Sequence, residues 1–206
     1  MTPSTADDTA LLLIGFQHDY FDPSGILHGV VEESHRVSGT LANTVQLIEA
    51  FKDSSMMMVN TPIVFSELYD ELDNPIGILK TIRDVQAFKA GTPGAETIPE
   101  IKAFGDRIIE LPGKKSFNAF SNTDLHSTLQ ERGVKRIIFA GCVTSICVHA
   151  SALHAFDLGY EVTMLSDCTS ARTPIEQEFF CSDVFPLFSH VLTLQELIDG
   201  ESAVSV

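Results

Sequence analysis

The sequence predicts an α/β fold: a single doubly wound domain with a parallel sheet of about six strands and helices on both faces. Three observations support this prediction. Short apolar runs alternate with helical stretches between about residues 10 and 198, which is the order of elements in such a fold. The clearest runs, residues 10–15 and 136–140, are apolar almost throughout, as in strands buried on both faces. No internal repeat or low-complexity segment divides the 206 residues, a length that suits one large core.

The predicted strands are six short runs. In chain order they cover residues 10–15, 55–60, 107–111, 136–140, 161–166 and 190–192. The second run contains three consecutive methionines, which form strands weakly, so its prediction depends on its position and length. Strands that alternate with helices favour parallel pairing.

The predicted helices lie between and after these strands. They cover residues 37–52, 79–88 and 123–132, a stretch of small residues from about 147 to 155, and a last helix from residue 193. The first of them carries apolar side chains at helical spacing, and Asn122 or Ser121 is expected to cap the third. Thr193 and Glu196 form the sequence of a capping box, which predicts that each side chain bonds the other residue's backbone N–H.

The charge of the chain limits its expected partners. The formal net charge is −15 at pH 7, so neither nucleic acid nor an anionic membrane is an expected partner. Residues 1–10 lack the basic region and apolar core of a signal peptide, and no apolar run reaches the roughly 18 residues of a membrane span. The four cysteines do not have the spacing of a disulfide framework, which favours a reducing, cytoplasmic location.

The segment from Gly141 to Val148 contains the strongest candidate for catalysis, Cys147. Because it follows a predicted buried strand, Cys147 is expected in the first turn of a helix at the carboxyl end of that strand. Open α/β sheets bind ligands at this end, and a helix N-terminus stabilises a thiolate through its free N–H groups and partial positive charge. The alternative is a buried structural cysteine, because free cysteines are among the most buried residues.

Three segments of the sequence form a recognisable set. They are Leu12–Phe21, then Lys114–Phe120 with the following Thr123-Asp124-Leu125, and finally Gly141–Val148. Lys114 precedes Cys147 by 33 positions. Together these features resemble the isochorismatase-like cysteine hydrolases, a family that includes nicotinamidases, N-carbamoyl-amide hydrolases and isochorismatases. The resemblance covers about residues 10–198, and it implies a small-molecule substrate and a homo-oligomer.

The resemblance also implies a catalytic set and a reaction. Cys147 matches the nucleophile of the family and Lys114 matches its lysine, whose charge would stabilise the thiolate, while Gly15 stands where the family carries an aspartate. The thiolate would attack a carbonyl carbon, release ammonia or an amine, and leave a thioester for water to hydrolyse. The backbone N–H groups of Val143 and Cys147 match the donors to the oxyanion, and the cis bond of the family would join Cys142 to Val143.

Because Gly15 has no side chain, another group must move the proton if the chain is an amidase. Asp19 lies on the same loop, although a short polar side chain in a turn commonly bonds nearby backbone instead. His18 is a second candidate, because histidine is a common general base near neutral pH. If neither acts, the chain is a weak hydrolase or a small-molecule-binding homologue. A vinyl-ether hydrolase of the isochorismatase type is a further alternative, which Gly15 disfavours more strongly, because that chemistry depends on the aspartate.

Four aromatic residues are candidates for an apolar substrate pocket, with core packing as the alternative. They are Phe16, Tyr20, Phe21 and Phe120. Gln17 fits the first segment of the resemblance and is interpreted as structural.

No metal and no cofactor is expected. Residues 60–67 contain neither the aspartate nor the histidine with which nicotinamidases of this family bind metal. A zinc ion shared by Cys147 and His154 is disfavoured, because seven helical residues separate their positions by about 10.5 Å. The sequence contains no dinucleotide-binding or phosphate-loop motif.

Overall fold

The structure is a computed structural model that describes residues 6–202, and the side chains of residues 7–200. Within this range, six strands form one parallel sheet. The strands are β1 (Thr9–Ile14), β2 (Met57–Thr61), β3 (Ile109–Glu110), β4 (Arg136–Cys142), β5 (Glu161–Ser170) and β6 (His190–Leu192). Their order across the sheet is β3-β2-β1-β4-β5-β6. The predicted fold class is confirmed.

The helices of the described range connect the strands and cover the sheet. They are α1 (His18–Phe21), α2 (His28–Ser38), α3 (Thr40–Phe51), α4 (Gly77–Val85), α5 (Pro99–Lys102), α6 (Leu125–Glu131), α7 (His149–Asp157), α8 (Pro174–Phe179) and α9 (Leu194–Ser202). Two π-helical turns, Thr144–Val148 and Phe180–Val184, lie directly before α7 and after α8.

The first predicted helix, residues 37–52, is wrong at its start. The structure has two helices in this part of the chain, α2 and α3, and Gly39 separates them in a left-handed conformation with φ of 70°. Helix α2 buries only Val31 and Ser34, so its sequence lacks the broad apolar stripe by which a helix is recognised. Helix α3 ends at Phe51, close to the predicted end.

The predictions for the two helix caps have different outcomes. The capping box of α9 is confirmed: Thr193 N–H donates to Glu196 Oε2 (2.7 Å), and Glu196 N–H donates to Thr193 Oγ1 (3.2 Å). The predicted caps of α6, Asn122 and Ser121, are wrong, because Asp124 occupies the N-cap position. Asn122 has a left-handed backbone with φ of 56° and therefore lies in the turn before the helix.

Strand β5 continues beyond its predicted end at Ser166 because it contains a bulge. Its pairing passes from Met164 directly to Thr169, while β4 advances only from Phe139 to Gly141. The intervening residues of β5 leave the ladder with β4, although Leu165 still pairs with Leu192 of β6. Ser166 and Asp167 are half-buried, so their backbone groups are best satisfied by partners on other elements.

Alternate side chains of β1 point into two apolar layers, one on each face of the sheet. Leu11 and Leu13 belong to the first layer, which α2, α3, α4 and α9 cover, whereas Leu12 and Ile14 belong to the second layer, which α6 and α7 cover. Burial on both faces explains why this strand is apolar throughout. In the described part of the chain, no helix has both the length and the apolar character needed to cross a membrane.

Candidate active site

The candidate site lies where the carboxyl ends of β1 and β4 meet. These two strands are neighbours at the centre of the sheet. The chain leaves them toward opposite faces, because β1 leads to α2 and α3 in the first layer and β4 leads to α7 in the second. Open α/β sheets bind ligands at such a switch point.

The segment after β4 forms what we call the cysteine turn, residues Val143–Val148. The Val143 carbonyl accepts hydrogen bonds from Ile146 N–H (3.0 Å) and Val148 N–H (3.2 Å), which gives the turn its π-helical pitch. The peptide bond from Cys142 to Val143 is cis, as the resemblance implies. Cys147 lies within this turn, which continues directly into α7 at His149. The prediction that Cys147 occupies the first helical turn after the strand is therefore confirmed.

Lys114 and Cys147 come together in the structure. Lys114 Nζ lies 3.7 Å from Cys147 Sγ, and the two residues are only 2% and 7% exposed. Among the described side chains, no carboxylate forms an ion pair with Lys114. Because a buried ammonium needs a partner, the sulfur of Cys147 is placed to accept a hydrogen bond from it.

Cys142, the last residue of β4, has a different environment from Cys147. Burial, reinforced by the nearby Cys147, raises the pKa of the Cys142 thiol well above its ordinary value, and Lys114 only partly opposes this shift. Cys142 Sγ donates to the carbonyl oxygen of Gly15 at 3.6 Å. Cys142 is therefore a neutral thiol that links the ends of β1 and β4.

Position 15 has no room for a side chain. Gly15 has a left-handed backbone with φ of 77°, and a Cβ atom there would lie 2.6 Å from the Cys142 carbonyl oxygen and 3.0 Å from its sulfur. Such distances are shorter than atoms in contact allow. The backbone at position 15 therefore has a conformation and a close packing that suit glycine and disfavour any larger residue.

Asp19 anchors the loop that follows β1. Its side chain is buried, with 2% of the residue exposed. One carboxylate oxygen accepts from Phe88 N–H (2.6 Å) and the other from Ile26 N–H (3.3 Å). A Cβ atom on Gly94 would lie 2.3 Å from the carboxylate, so Gly94 packs directly against it. These contacts agree with the alternative given in the sequence analysis, in which the Asp19 side chain forms hydrogen bonds with backbone groups.

His18 is held by other partners. Its Nδ1 atom lies 3.6 Å from Asp22 Oδ2, and its backbone N–H donates to Glu96 O (3.0 Å). With Asp19 it lines a cavity of about 600 Å³ whose other walls come from residues 24–26, 84–86, 89 and 92–94. Cys147 and Lys114 are not among the residues that line this cavity.

Tyr20 is the aromatic residue that interacts electrostatically with the cysteine turn. Burial raises the pKa of its phenol well above the ordinary value, and Cys147, Cys142 and Asp19 raise it further by charge repulsion. Its ring lies 5.0 Å from that of Phe88, and the residue is 4% exposed. The phenol therefore keeps its proton and is a potential hydrogen-bond donor near Cys147.

The other three aromatic residues named as pocket candidates lie in different layers. Phe16 stacks on Phe21 at 5.0 Å in the first layer and has no exposed surface. Phe120 lies in the second layer, with its ring 5.6 Å from that of His154. These residues do not form one continuous wall, and their role in a pocket stays a prediction.

Gln17 has the structural role that the sequence analysis preferred. Its side chain is fully buried and bonds the backbone of the loop after β2. The amide nitrogen donates to Ile63 O (2.9 Å) and Ala95 O (2.7 Å), and the amide oxygen accepts from Ile63 N–H (2.9 Å). Gln17 thus joins the loops that follow β1 and β2.

Sequence reasoning missed an ion pair beside Lys114. Lys115 Nζ lies 2.9 Å from Glu71 Oε1 and also donates to Val64 O. Burial raises the pKa of Glu71, but hydrogen bonds from Lys115, its own backbone and Ser66 outweigh this effect and lower the pKa to about 2. The pair joins the loop after β2 to the segment that carries Lys114. Residues 61–105 have no clear pattern, so the sequence gives no signal for this contact.

No metal-binding group is found among the residues that the structure describes. Within that range, no set of three His, Cys, Asp or Glu side chains is placed to hold an ion. His149 packs instead against the ring of Phe180 at 5.3 Å, and burial lowers its pKa.

Comparison with known proteins gives both sequence relatives and a structural relative. The family model described as an isochorismatase domain matches residues 9–196. Ureidoacrylate amidohydrolase RutB of Variovorax paradoxus is 30% identical over 80% of this chain and 69% of its own length. A protein of Arabidopsis thaliana named a probable inactive nicotinamidase is 27% identical over 81% of this chain and 83% of its own length. The crystal structure of a cysteine hydrolase from Pseudomonas syringae pv. phaseolicola superposes with a TM-score of 0.87 at 20% identity, covering 99% of this chain and 97% of that one.

Proposed function

The chain belongs to the isochorismatase family, and we propose that it hydrolyses a C–N amide bond of a small molecule through Cys147. The observation that carries this proposal is the contact of 3.7 Å between Lys114 Nζ and Cys147 Sγ at the carboxyl edge of the sheet. The similarity to a ureidoacrylate amidohydrolase supports an amide or ureido carbonyl as the group attacked.

In the proposed reaction the Cys147 thiolate bonds to the carbonyl carbon, and the carbonyl electron pair moves to oxygen. The backbone N–H groups of Val143 and Cys147 donate hydrogen bonds to this oxyanion. Collapse of the intermediate breaks the C–N bond, and the nitrogen leaves with a proton as ammonia or an amine. Water then attacks the thioester, which releases the acid and restores the thiol. Lys114 stabilises the thiolate by its charge.

The departing nitrogen needs a proton donor, and position 15 does not supply one. Asp19 stays the candidate substitute, although its bonds to the Phe88 and Ile26 N–H groups support an anchoring role instead. A general acid–base group contributes about 10²–10⁴-fold to the rate. We therefore propose a hydrolase that attacks readily but turns over slowly.

The first test is the rate at which iodoacetamide alkylates Cys147 across a range of pH, followed by mass spectrometry of the peptide that contains it. Reaction that persists well below about pH 8.5, where an ordinary cysteine titrates, supports an activated thiolate. Cys147→Ser controls for the other three cysteines. Reaction that begins only at about pH 8.5 or above contradicts the proposal. A reactive protein is then screened for ammonia release from small amides and ureido compounds.

A second candidate function is small-molecule binding without turnover. The close packing at Gly15 favours it, because the proton-moving residue of the family has no space there. A binder would take up a ligand with an affinity that Cys147→Ser leaves unchanged, as measured by calorimetry. A vinyl-ether hydrolase is less well supported, because that chemistry needs the carboxylate that position 15 excludes.

We also propose a homo-oligomer in a reducing, cytoplasmic environment. All four cysteines are free thiols, which supports such an environment. Several large apolar side chains of α7, α8 and the segment between α8 and β6 are exposed, and these are candidates for a contact between subunits. They are Leu153, Phe156, Ile175, Phe179 and Leu187. Light scattering of the purified protein tests the oligomeric state.

A further inference from the structure

We infer that Gln177 is a positioning residue that holds the cysteine turn in its reactive geometry. This inference rests on the proposed function, because it concerns the reactivity of Cys147. Gln177 lies on α8, and only 8% of the residue is exposed. Its side-chain amide connects the cysteine turn to the bulge of β5.

One side of the amide bonds the cysteine turn. Thr144 follows directly after Val143 and is fully buried. Its hydroxyl donates to Gln177 Oε1 at 2.7 Å. The N-cap residue Val143 makes no side-chain capping bond, so the bond from Thr144 to Gln177 supplies a polar contact at the start of the turn.

The other side of the amide bonds the bulge of β5. Gln177 Nε2 donates to Ser166 O (2.9 Å) and to Thr169 Oγ1 (2.9 Å). Ser166 lies in the part of β5 that leaves the ladder with β4, and it is half-buried. The Gln177 amide gives its carbonyl a hydrogen-bond partner, and a half-buried carbonyl without one costs stability.

The direction of every bond in this chain of contacts is fixed. The Thr169 hydroxyl donates its own hydrogen to Leu165 O (2.9 Å), so it accepts from Gln177. The Gln177 nitrogen therefore faces β5, and the oxygen faces Thr144. A continuous path of directed bonds runs from the cysteine turn to the backbone of the sheet. At its other end the turn is held by Ser151 on α7, whose hydroxyl donates to Cys147 O at 2.7 Å.

The test compares Cys147 alkylation by iodoacetamide in variants that cut this path at either end. Gln177→Met keeps the length of the side chain without its polar atoms, and Thr144→Val keeps the shape of threonine without its hydroxyl. We expect each to slow alkylation at pH 7 roughly tenfold, because a small displacement of a reacting group is costly. The double variant should be no slower than the slower single variant, because both remove the same contact.

Two further variants separate positioning from a general loss of structure. Thr144→Ser retains a hydroxyl and should restore alkylation to within about twofold of the wild type, which simple destabilisation of the turn would not predict. Gln195→Met is the matched control, because Gln195 is exposed on α9 and its side chain donates to Asp199, remote from the cysteine turn. Unfolding in urea is measured for each variant, and alkylation is compared where all are folded. If a Gln177 variant fails to fold, the pair Thr144→Val and Thr144→Ser carries the same test.

The outcomes distinguish this inference from the proposed function. A wild-type Cys147 that reacts rapidly, with Gln177→Met and Thr144→Val within about twofold of it, overturns the role of Gln177 and leaves the hydrolase proposal intact. Additive losses in the double variant also overturn it, because the two side chains would then act separately. A wild-type Cys147 that reacts only at about pH 8.5 or above contradicts the proposed function and removes the basis of this inference.

Discussion

The segments after β1 and β4 end at the same edge of the sheet, but they differ in what they offer to catalysis. After β4, the cysteine turn places Cys147 3.7 Å from the buried ammonium of Lys114. After β1, Gly15 has no space for a side chain, and the carboxylate of Asp19 is bonded to backbone. The residues proposed for nucleophilic attack, Cys147 and Lys114, are thus in contact. Position 15, in contrast, has no space for a side chain that could transfer a proton. The difference teaches that the two parts of the proposed site depend on separate elements, the cysteine turn after β4 and the loop after β1.

The largest expected effect comes from returning the aspartate to the end of β1. In Gly15→Asp the new Cβ would lie 2.6 Å from the Cys142 carbonyl oxygen, on a backbone with φ of 77°. We expect a loss of roughly 2–6 kcal/mol in the free energy of unfolding, from strain and overpacking together, and no gain in turnover. Urea unfolding measures the loss. A stable variant with faster turnover would show that the end of β1 has space for an aspartate side chain and would contradict this prediction.

The matched control for this substitution is Gly159→Asp. Gly159 also has a left-handed backbone, with φ of 89°, but nothing lies within 4 Å of a Cβ built there. We therefore expect its free energy of unfolding to fall only by the cost of backbone strain, about 1–3 kcal/mol. Equal losses at both positions would mean that conformation alone, without the contact to Cys142, accounts for glycine at position 15.

The next largest effect is expected from Lys114→Met, which removes the ammonium that contacts Cys147 in the cysteine turn after β4. At an effective dielectric constant of about 20, unit charges about 4 Å apart attract each other by roughly 4 kcal/mol. Removing the ammonium should slow alkylation of Cys147 at pH 7 by at least about a hundredfold, because less of the thiol is ionised.

Lys115→Met is the control for Lys114→Met, since the ammonium of Lys115 bonds Glu71 and the Val64 carbonyl instead. We expect it to slow alkylation less than about fivefold, in line with the small energies of partly exposed ion pairs. If both substitutions slowed the reaction equally, the contact between Lys114 and Cys147 would not be what activates the sulfur.

A smaller effect is expected from Asp19→Asn, which tests whether the loop after β1 supplies a replacement for the aspartate. In the asparagine side chain an NH₂ group replaces one carboxylate oxygen, and this group cannot accept a hydrogen bond from a backbone N–H. One of the two hydrogen bonds from Phe88 N–H and Ile26 N–H is therefore lost. We expect the free energy of unfolding to fall by about 1–3 kcal/mol, with alkylation of Cys147 nearly unchanged. An unchanged stability with a hundredfold loss of turnover would instead identify Asp19 as the acid–base group.

The smallest effect concerns pH and the ion pair beside Lys114. The pKa of Glu71 is about 2 in the folded chain, below its unfolded value of about 4.3. The pair therefore stabilises the fold above about pH 4.3 and loses this contribution as the pH falls toward 2. Because the Lys115 side chain is 40% exposed, we expect no more than about 1 kcal/mol. The difference in unfolding free energy between the wild type and Glu71→Gln should shrink from pH 7 to pH 3, and a constant difference would contradict the pairing.

The parts of the fold that sequence predicts are those in which burial controls composition. Strands β1 and β4 are buried on both faces, so their apolar runs mark them clearly. Helix α2 buries only two side chains, and its position follows from contacts that no local pattern records. The bulge of β5 is equally invisible, because polar residues such as Ser166 and Asp167 usually end a strand.

The candidate site likewise has features that the sequence predicts and features that it does not. The pairing of Lys114 with Cys147 was predictable only through the resemblance, because a spacing of 33 residues fixes no distance by itself. Gly15 was visible as a departure, but the lack of space around it depends on the carbonyl of Cys142, far along the chain. Gln177 gave no signal, because one polar residue in a short helix has no distinguishing pattern.

The contact between Gly15 and the Cys142 carbonyl has an evolutionary consequence. A single nucleotide change can convert a glycine codon into an aspartate codon, but it does not create the space that the new side chain needs. An acidic residue introduced there before the ends of β1 and β4 separate would carry the cost of the clash. A variant selected for faster turnover is therefore expected to gain a proton donor at a different position.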